Sequence, residues 1–197
     1  GEYDVLTVRG ARSQRYETTY FDTPTLAFYH AHHAGRPNRH KVRARHYVAT
    51  GARMLEVKTR SASGRTLKQR SAWPASDAAT PIDVRALPSA TQAVIDRAWL
   101  RRRSGSESVS VDTDLRVADG AQEVALRGMI LVEVKQELRG PSPVLDALRR
   151  AGLRPKPISK YCLGVALLRP DVKHNRFKPL LSTITRLRDS VPLPLAG

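Results

Sequence analysis

The chain has 197 residues and a 41% apolar fraction, enough for one domain with a hydrophobic core. Its 34 Lys and Arg outweigh 18 Asp and Glu, a formal charge of +16 that points to a polyanionic partner: nucleic acid, an anionic membrane surface, or a phosphate-rich molecule or polymer. The single cysteine, Cys162, excludes internal disulfides and cysteine-based zinc sites; no apolar run of about 18 residues offers a transmembrane helix, and the first residues lack the apolar core of a signal peptide.

Tyr3 to Val8 alternates and reads as a strand, Gly10 to Gln14 as a turn, and Tyr16 to Phe21 as the next strand. Thr23 is placed to cap a helix with Pro24 at its first position, running through Leu26, Tyr29, His30 and His33 to Gly35. The histidine cluster there does not read as a metal site. Its one helical pair, His30 and His33, is spaced i, i+3 with no carboxylate beside it.

A basic loop over residues 35–39 leads into the stretch Arg39 to Arg70, which predicts three antiparallel strands: Lys41 to Val48, Met54 to Arg60 and Arg65 to Arg70. Thr50-Gly51 and Ser63-Gly64 mark the turns. A period of two puts Lys41, Arg43, Arg45 and Tyr47 on one face of the first strand, Glu56, Lys58 and Arg60 on one face of the second, and Lys68 and Arg70 on one face of the third. Like charges opposite each other destabilise a sheet. Three such strands in a row point to an anion held between them, against the plainer reading of a solvated basic face.

Ala72 to Pro88 reads as a connection, Ser89 to Leu100 as an amphipathic helix with Ala93, Val94 and Ala98 inward, and Arg101 to Ser106 as a basic turn. Val109 to Val117 and Met129 to Lys135 read as strands. Ser142 caps a short helix with Pro143 in its first turn and Gly152 at its end, Ser159 caps another over Lys160 to Leu168, and Lys178 to Arg188 reads as a last helix. Cys162, in the run CLGVALL, reads as a buried small hydrophobe. The strands predict an α+β fold in which an antiparallel β barrel encloses a polar, cationic interior and helices pack outside. Residues 1–188 are expected to form one domain and residues 189–197 a tail.

The pattern Glu-x-Lys occurs at Glu56-Lys58 and again at Glu133-Lys135, and Asp112 and Asp114 add two carboxylates. Carboxylates among many cations fit a divalent ion, Mn²⁺ or Mg²⁺, that bridges phosphate oxygens; internal ion pairing is the competing reading. No GxxxxGK[ST] loop is present, so any nucleotide is held by side chains on strands.

The pieces TTYFDTPTLAFYHAHHAGRPNRHKVRARHY, LEVKTRSASGRTLKQR, VSVDTDLRV, LVEVK and PISKYCLG, in this order, resemble the VTC (vacuolar transporter chaperone) domain. That is the polyphosphate polymerase branch of the triphosphate tunnel, or CYTH-like, superfamily. The resemblance implies a basic β tunnel and metal-dependent transfer of the terminal phosphate of ATP onto polyphosphate. It implies tunnel arginines at Arg43 and Arg45, phosphate-binding lysines at Lys58 and Lys68, a metal-binding Glu133, and nucleotide-phosphate contacts from Ser159 and Lys160. Alternation adds Arg39 and Arg70 to the phosphate-binding set, with Glu56 and Lys135 from the Glu-x-Lys pairs, and Asp112 and Asp114 to the metal set. The resemblance also implies a charged strand ahead of Gly1 and a Tyr-x-Arg strand before VSVDTD. In that last interval only LRRRSGSES stands, so the strand is expected to be shortened or absent.

The expected partners are ATP and polyphosphate in a cytoplasmic setting, with a membrane-protein partner compatible. Nucleic acid is not expected, because aromatics are only 6% and carboxylates interrupt the cations. A triphosphate hydrolase and a non-catalytic polyanion-binding module stay open beside the polymerase.

Overall fold

The structure is a computed structural model that describes residues 1–74, 82–137 and 140–190. Among these residues the order is β1 (Tyr3–Val5), β2 (Ser13–Phe21), α1 (Ala27–His33), β3 (Arg39–Tyr47), β4 (Ala52–Arg60), β5 (Thr66–Ala72), β6 (Ser89–Arg102), β7 (Ser108–Ala118), β8 (Glu123–Ala125), β9 (Leu131–Lys135), α2 (Pro143–Arg150), α3 (Lys160–Leu168) and α4 (Lys178–Ser190). The strands form one antiparallel sheet in the order β5-β4-β3-β2-β6-β7-β8, with β1 added to β6 and β9 to β7. This is an antiparallel, sheet-rich α+β fold.

The three-strand meander is present with the expected faces. Arg43 stands opposite Glu56 and Glu56 opposite Arg70, while Lys41 stands opposite Lys58 and Lys58 opposite Lys68. Gly51 and Gly64 make the turns at φ 73° and 79°, where a side chain would be strained. Residues 75–81 of the following connection, and residues 191–197 of the expected tail, lie outside the described residues. Asp189 and Ser190 belong to α4 rather than to a tail.

Three expectations are corrected. Ser89 to Leu100 is not a helix but most of β6, paired with β2 on one side and β7 on the other. Its Ala, Gln and Leu content favours a helix. The same stretch also alternates as Ala93, Ile95, Arg97 and Trp99, and two neighbouring strands satisfy its backbone along both edges, so context overrides propensity. β6 carries Arg97, and only residues 103–107 separate it from β7, so no further strand stands in that interval. Second, among the described residues no ladder joins β5 to β8 or β9, so the sheet is curved but open and no closed barrel forms.

Third, the helices do not all lie outside. Call the face bearing Tyr16, Thr18, Tyr20, Arg43 and Arg45 the inner face. The larger apolar cluster joins inner-face Tyr16, Tyr20, Ala93, Ile95, Leu115 and Val117 to Tyr161, Leu163, Val165 and Leu168 of α3. A second cluster, Val42, Leu55, Val57 and Val84 with Phe21, Phe28 and Trp73, covers the outer face. Thus α3 sits on the same face as the charges. Its Gly164 permits the close approach: a Cβ there would meet Thr91 Oγ1 at 2.7 Å.

Polar caps tie the helices down. Thr23 is not the N-cap and Pro24 not the first position of α1: the helix begins at Ala27 after Leu26, which makes no side-chain cap bond, while Thr23 Oγ1 accepts from Ala27 N at 2.9 Å. Asp22, fully buried, accepts from the backbone N–H groups of Phe28 and Tyr29, each at 2.9 Å, and from the Tyr161 hydroxyl. It links α1 to α3. Removing the buried hydroxyl in Tyr161→Phe is expected to cost about 1–3 kcal/mol by urea denaturation, since the bond is to a charged acceptor. Ser142 and Ser159 cap α2 and α3 as expected, accepting from Leu145 N at 3.1 Å and Cys162 N at 3.3 Å. Cys162 is buried and free. Among the described residues no helix is long and apolar enough to cross a membrane.

Candidate functional site: a cationic inner face

Glu56 centres the first charge cluster. It is 1% exposed and accepts from Arg43 Nε at 2.5 Å, Lys68 Nζ at 2.6 Å and Arg70 Nε at 2.7 Å. Burial alone would raise its carboxyl. The Arg43 charge and the hydrogen bonds from Lys68 and Arg70 outweigh that and hold it well below the usual carboxylate range. Three cations around one carboxylate leave the cluster positive. Glu56 thus orients three cationic side chains through its own two oxygens.

Asp112 centres the second cluster. Arg97 Nε and Nη2 both donate to it, the latter at 2.7 Å, and Lys160 Nζ approaches at 2.5 Å from the first turn of α3. Burial pushes the Asp112 carboxyl up, but hydrogen bonds from Arg97 and the nearby Lys160 charge bring it below its ordinary value. Asp112 is 2% exposed.

Two further cations have no carboxylate of their own among the described residues: Arg45, between the clusters, and Lys58, beside the first of them. Arg45, 6% exposed, donates from Nε to Thr18 Oγ1 at 3.1 Å and lies 5.4 Å from the Tyr16 ring centroid. Burial, then the Arg43 and Arg97 charges, pull its pKa down. Lys58 forms no ion pair among the described residues; burial and the charges of Arg43, Lys68 and Lys41 bring it to about 8. Burial should raise the pKa of the Tyr20 phenol, yet it is lowered because Arg43, Arg45, Lys160 and Lys41 surround it. One face therefore gathers Lys41, Arg43, Arg45, Lys58, Lys68, Arg70, Arg97 and Lys160 against two buried carboxylates. The arrangement can grip a multiply charged oxyanion from several sides.

The structure brings together Arg43, Arg45, Lys58, Lys68, Arg70 and, through Asp112, Lys160. It does not gather the expected metal set. Opposite Ile95 the β6–β7 ladder carries a bulge at which Asp114 takes φ 46°, so the alternation flips. Asp114 pairs instead with Arg116 at 3.1 Å and approaches Arg15 at 3.9 Å. Asp112 is filled by two cations. Glu133, with a 56% exposed side chain, stands opposite Ser110 and pairs with Lys135 at 3.4 Å. Among the described residues no three acidic, His or Cys groups converge on one point. The candidate ligand set reduces to Glu133. Mg²⁺ or Mn²⁺ commonly takes one or two carboxylates plus waters and substrate phosphates, and Glu133 fits that role.

Arg39 lies at the rim, bonding Arg36 O at 2.7 Å. Lys135 sits 5.1 Å from the Trp99 ring centroid. Ser159 spends its acceptor on the α3 cap. His32 bonds His40 O at 2.9 Å, and burial lowers it to about 4, so it is neutral. Sequence reading missed Arg97, Tyr20 and Trp99. Period-two alternation across Ala93 to Trp99 was the available signal, masked by the helical reading.

The family comparison falls on this meander. Residues 2–91 match the VTC domain. The VTC match takes in β1 to β5 and the first residues of β6, including Arg43, Arg45, Glu56, Lys58, Lys68 and Arg70. No curated protein matches the chain. Similar solved structures include a Pyrococcus horikoshii OT3 protein, 12% identical, covering 87% of this chain and 89% of that one with TM-score 0.47. A proposed adenylate cyclase from Bacillus halodurans is 11% identical, covers 80% and 91%, and has TM-score 0.48. Another from Vibrio parahaemolyticus is 13% identical, covers 92% and 85%, and has TM-score 0.39.

Proposed function

We propose that the inner face holds a phosphate chain and that the protein is a polyphosphate polymerase using ATP. The observation that carries this is the placement of two cations without carboxylate partners among the described residues: Arg45, between Arg43 and Arg97, and Lys58, beside the Glu56 cluster with Lys41 and Lys68 on the neighbouring strands. Holding them there is costly without an anion. The VTC match over the same strands supports the class of substrate.

In this reading Arg43, Arg45, Lys58, Lys68 and Lys160 hold phosphate oxygens, with Arg70, Arg39 and Lys135 along the approach. Ser159 donates its hydroxyl proton near Lys160. Glu133 would hold Mn²⁺ or Mg²⁺, which supplies neutralisation of phosphate charge when bound. A terminal oxygen of polyphosphate attacks the γ-phosphorus of ATP. The new P–O bond forms as the β–γ bridging bond breaks, and ADP leaves with the electron pair. Positioning and charge neutralisation carry such a transfer, and the cation set supplies both. The proposal takes residues 1–188 as one domain working in the cytoplasm.

Lys58 gives this reading a pH signature. It binds phosphate best when protonated and is at about 8 in the free protein. Affinity for inorganic tripolyphosphate should be flat below that value and fall above it, by up to about tenfold per pH unit, because binding must then take up a proton. Calorimetry across pH 6.5 to 9.5 checks this, and Lys58→Arg should flatten the profile. Phosphorus NMR with ATP and Mn²⁺, with and without a short polyphosphate primer, tests the activity. Growing internal-chain signals with ADP support the polymerase; orthophosphate alone indicates a hydrolase; an unchanged spectrum from protein that binds polyphosphate indicates a binding module.

A further inference from the structure

On the inner face β3, β4 and β5 carry two adjacent rows of different character. In one, Arg43, Glu56 and Arg70 stand side by side, and the carboxylate binds both arginines. In the next, Lys41, Lys58 and Lys68 stand side by side with no acid in the row. Lys68 reaches across to Glu56 at 2.6 Å, which leaves Lys58, half-buried in the middle, without an ion pair among the described residues. The charges that face it are Lys41 and Arg43 on β3, Lys68 on β5 and Glu56 on its own strand, and Glu56 is already shared by three cations. Burial first, then the Arg43, Lys68 and Lys41 charges against the pull of Glu56, bring the Lys58 amine to about 8. At pH 7.5 roughly a quarter of such a side chain is neutral, against about one in a thousand for an ordinary lysine.

A neutral amine is a nucleophile. The product that this setting favours is an anion, because it would lie between Lys41 and Lys68 with Arg43 close by. Carbon dioxide is a small electrophile that turns an amine into an anion. The amine lone pair forms an N–C bond to its carbon, one C–O π pair moves onto oxygen, and an N–H proton leaves to water. The products are a carbamate and one proton. We propose that Lys58 is a reversible carbon dioxide modification site whose carbamate takes the place of a phosphate oxygen in the lysine row. The modification stands on the row itself; the competition rests on the phosphate-chain reading above. It gives that face a regulation, since the middle of the row changes from cation to anion and the two ligands exclude each other.

Protein equilibrated at pH 8 with carbon-13-labelled bicarbonate should show a carbamate resonance that is missing from Lys58→Arg, whose guanidinium keeps the charge and does not add carbon dioxide. A signal from the amino terminus is common to both proteins. Trapping with an alkyl oxonium reagent, followed by peptide mass analysis, should place the adduct on Lys58, and Lys41→Gln, which removes one flanking charge, should reduce it. At matched ionic strength, bicarbonate should weaken calorimetric binding of tripolyphosphate in proportion to the carbamylated fraction, about twofold at half occupancy, in the wild type and not in Lys58→Arg. Equal weakening of both proteins is plain bicarbonate competition and overturns the inference. So does the absence of a Lys58 adduct from protein that binds tripolyphosphate. Either result leaves the phosphate reading intact. If wild-type protein free of carbon dioxide binds no tripolyphosphate, the phosphate reading fails and the competition falls with it, whatever the adduct shows.

Discussion

Glu56→Gln is expected to lose about 3–5 kcal/mol of stability and to gain more from added tripolyphosphate than the wild type does. The carboxylate is buried and is the counter-ion for Arg43, Lys68 and Arg70. Glutamine keeps the shape and removes the charge, so three cations face each other with no carboxylate among them. An oxyanion then relieves a larger repulsion, and the ligand-induced rise in melting temperature should grow. The pH dependence follows from the sign of the shift. The Glu56 carboxyl is lowered from 4.5, so its stabilisation is complete above that value and is lost as pH falls towards its depressed folded value. The wild type should therefore weaken in acid more steeply than Glu56→Gln. Urea denaturation at several pH values, with and without tripolyphosphate, measures both slopes; parallel pH profiles would remove Glu56 from the centre of the cluster.

Lys58→Met should separate function from stability. Lys58 is a half-buried cation held without an ion pair among the described residues, and its lowered pKa says that the fold disfavours its charge. An apolar side chain of similar length removes that unfavourable term, so thermal stability should hold or rise. Phosphate transfer should fall by roughly 10²–10³, the scale for deleting one preorganised electrostatic contact to the reacting group. A merely structural lysine would give the opposite pair of results: lower stability with turnover kept.

Much of this was legible because strand alternation is a local property. The faces of β3, β4 and β5, the Glu56 ladder and the serine caps of α2 and α3 follow from period and residue type alone. What failed depends on distant partners. Ser89–Arg102 is a strand because β2 and β7 flank it, which its own composition hides, and Arg97 went unread with it. Asp114 left the inner face through a bulge of a single ladder, and a bulge shifts parity without a sequence mark of its own. Lys160 reaches Asp112 because α3 lies on the inner face, a packing outcome set by Gly164 against Thr91 and by the Asp22–Tyr161 bond.

The central claim is that a phosphate chain binds on the inner face, between the Glu56 and Asp112 clusters. Titration calorimetry of inorganic tripolyphosphate at physiological salt tests it most directly, on the wild type, Arg45→Ala, Lys58→Ala and the exposed control Arg154→Ala. The account predicts a saturable site, weakened at least about tenfold by either inner-face substitution and unchanged by the control. Equal weakening by all three substitutions would make the binding a diffuse effect of the net positive charge and would contradict the account.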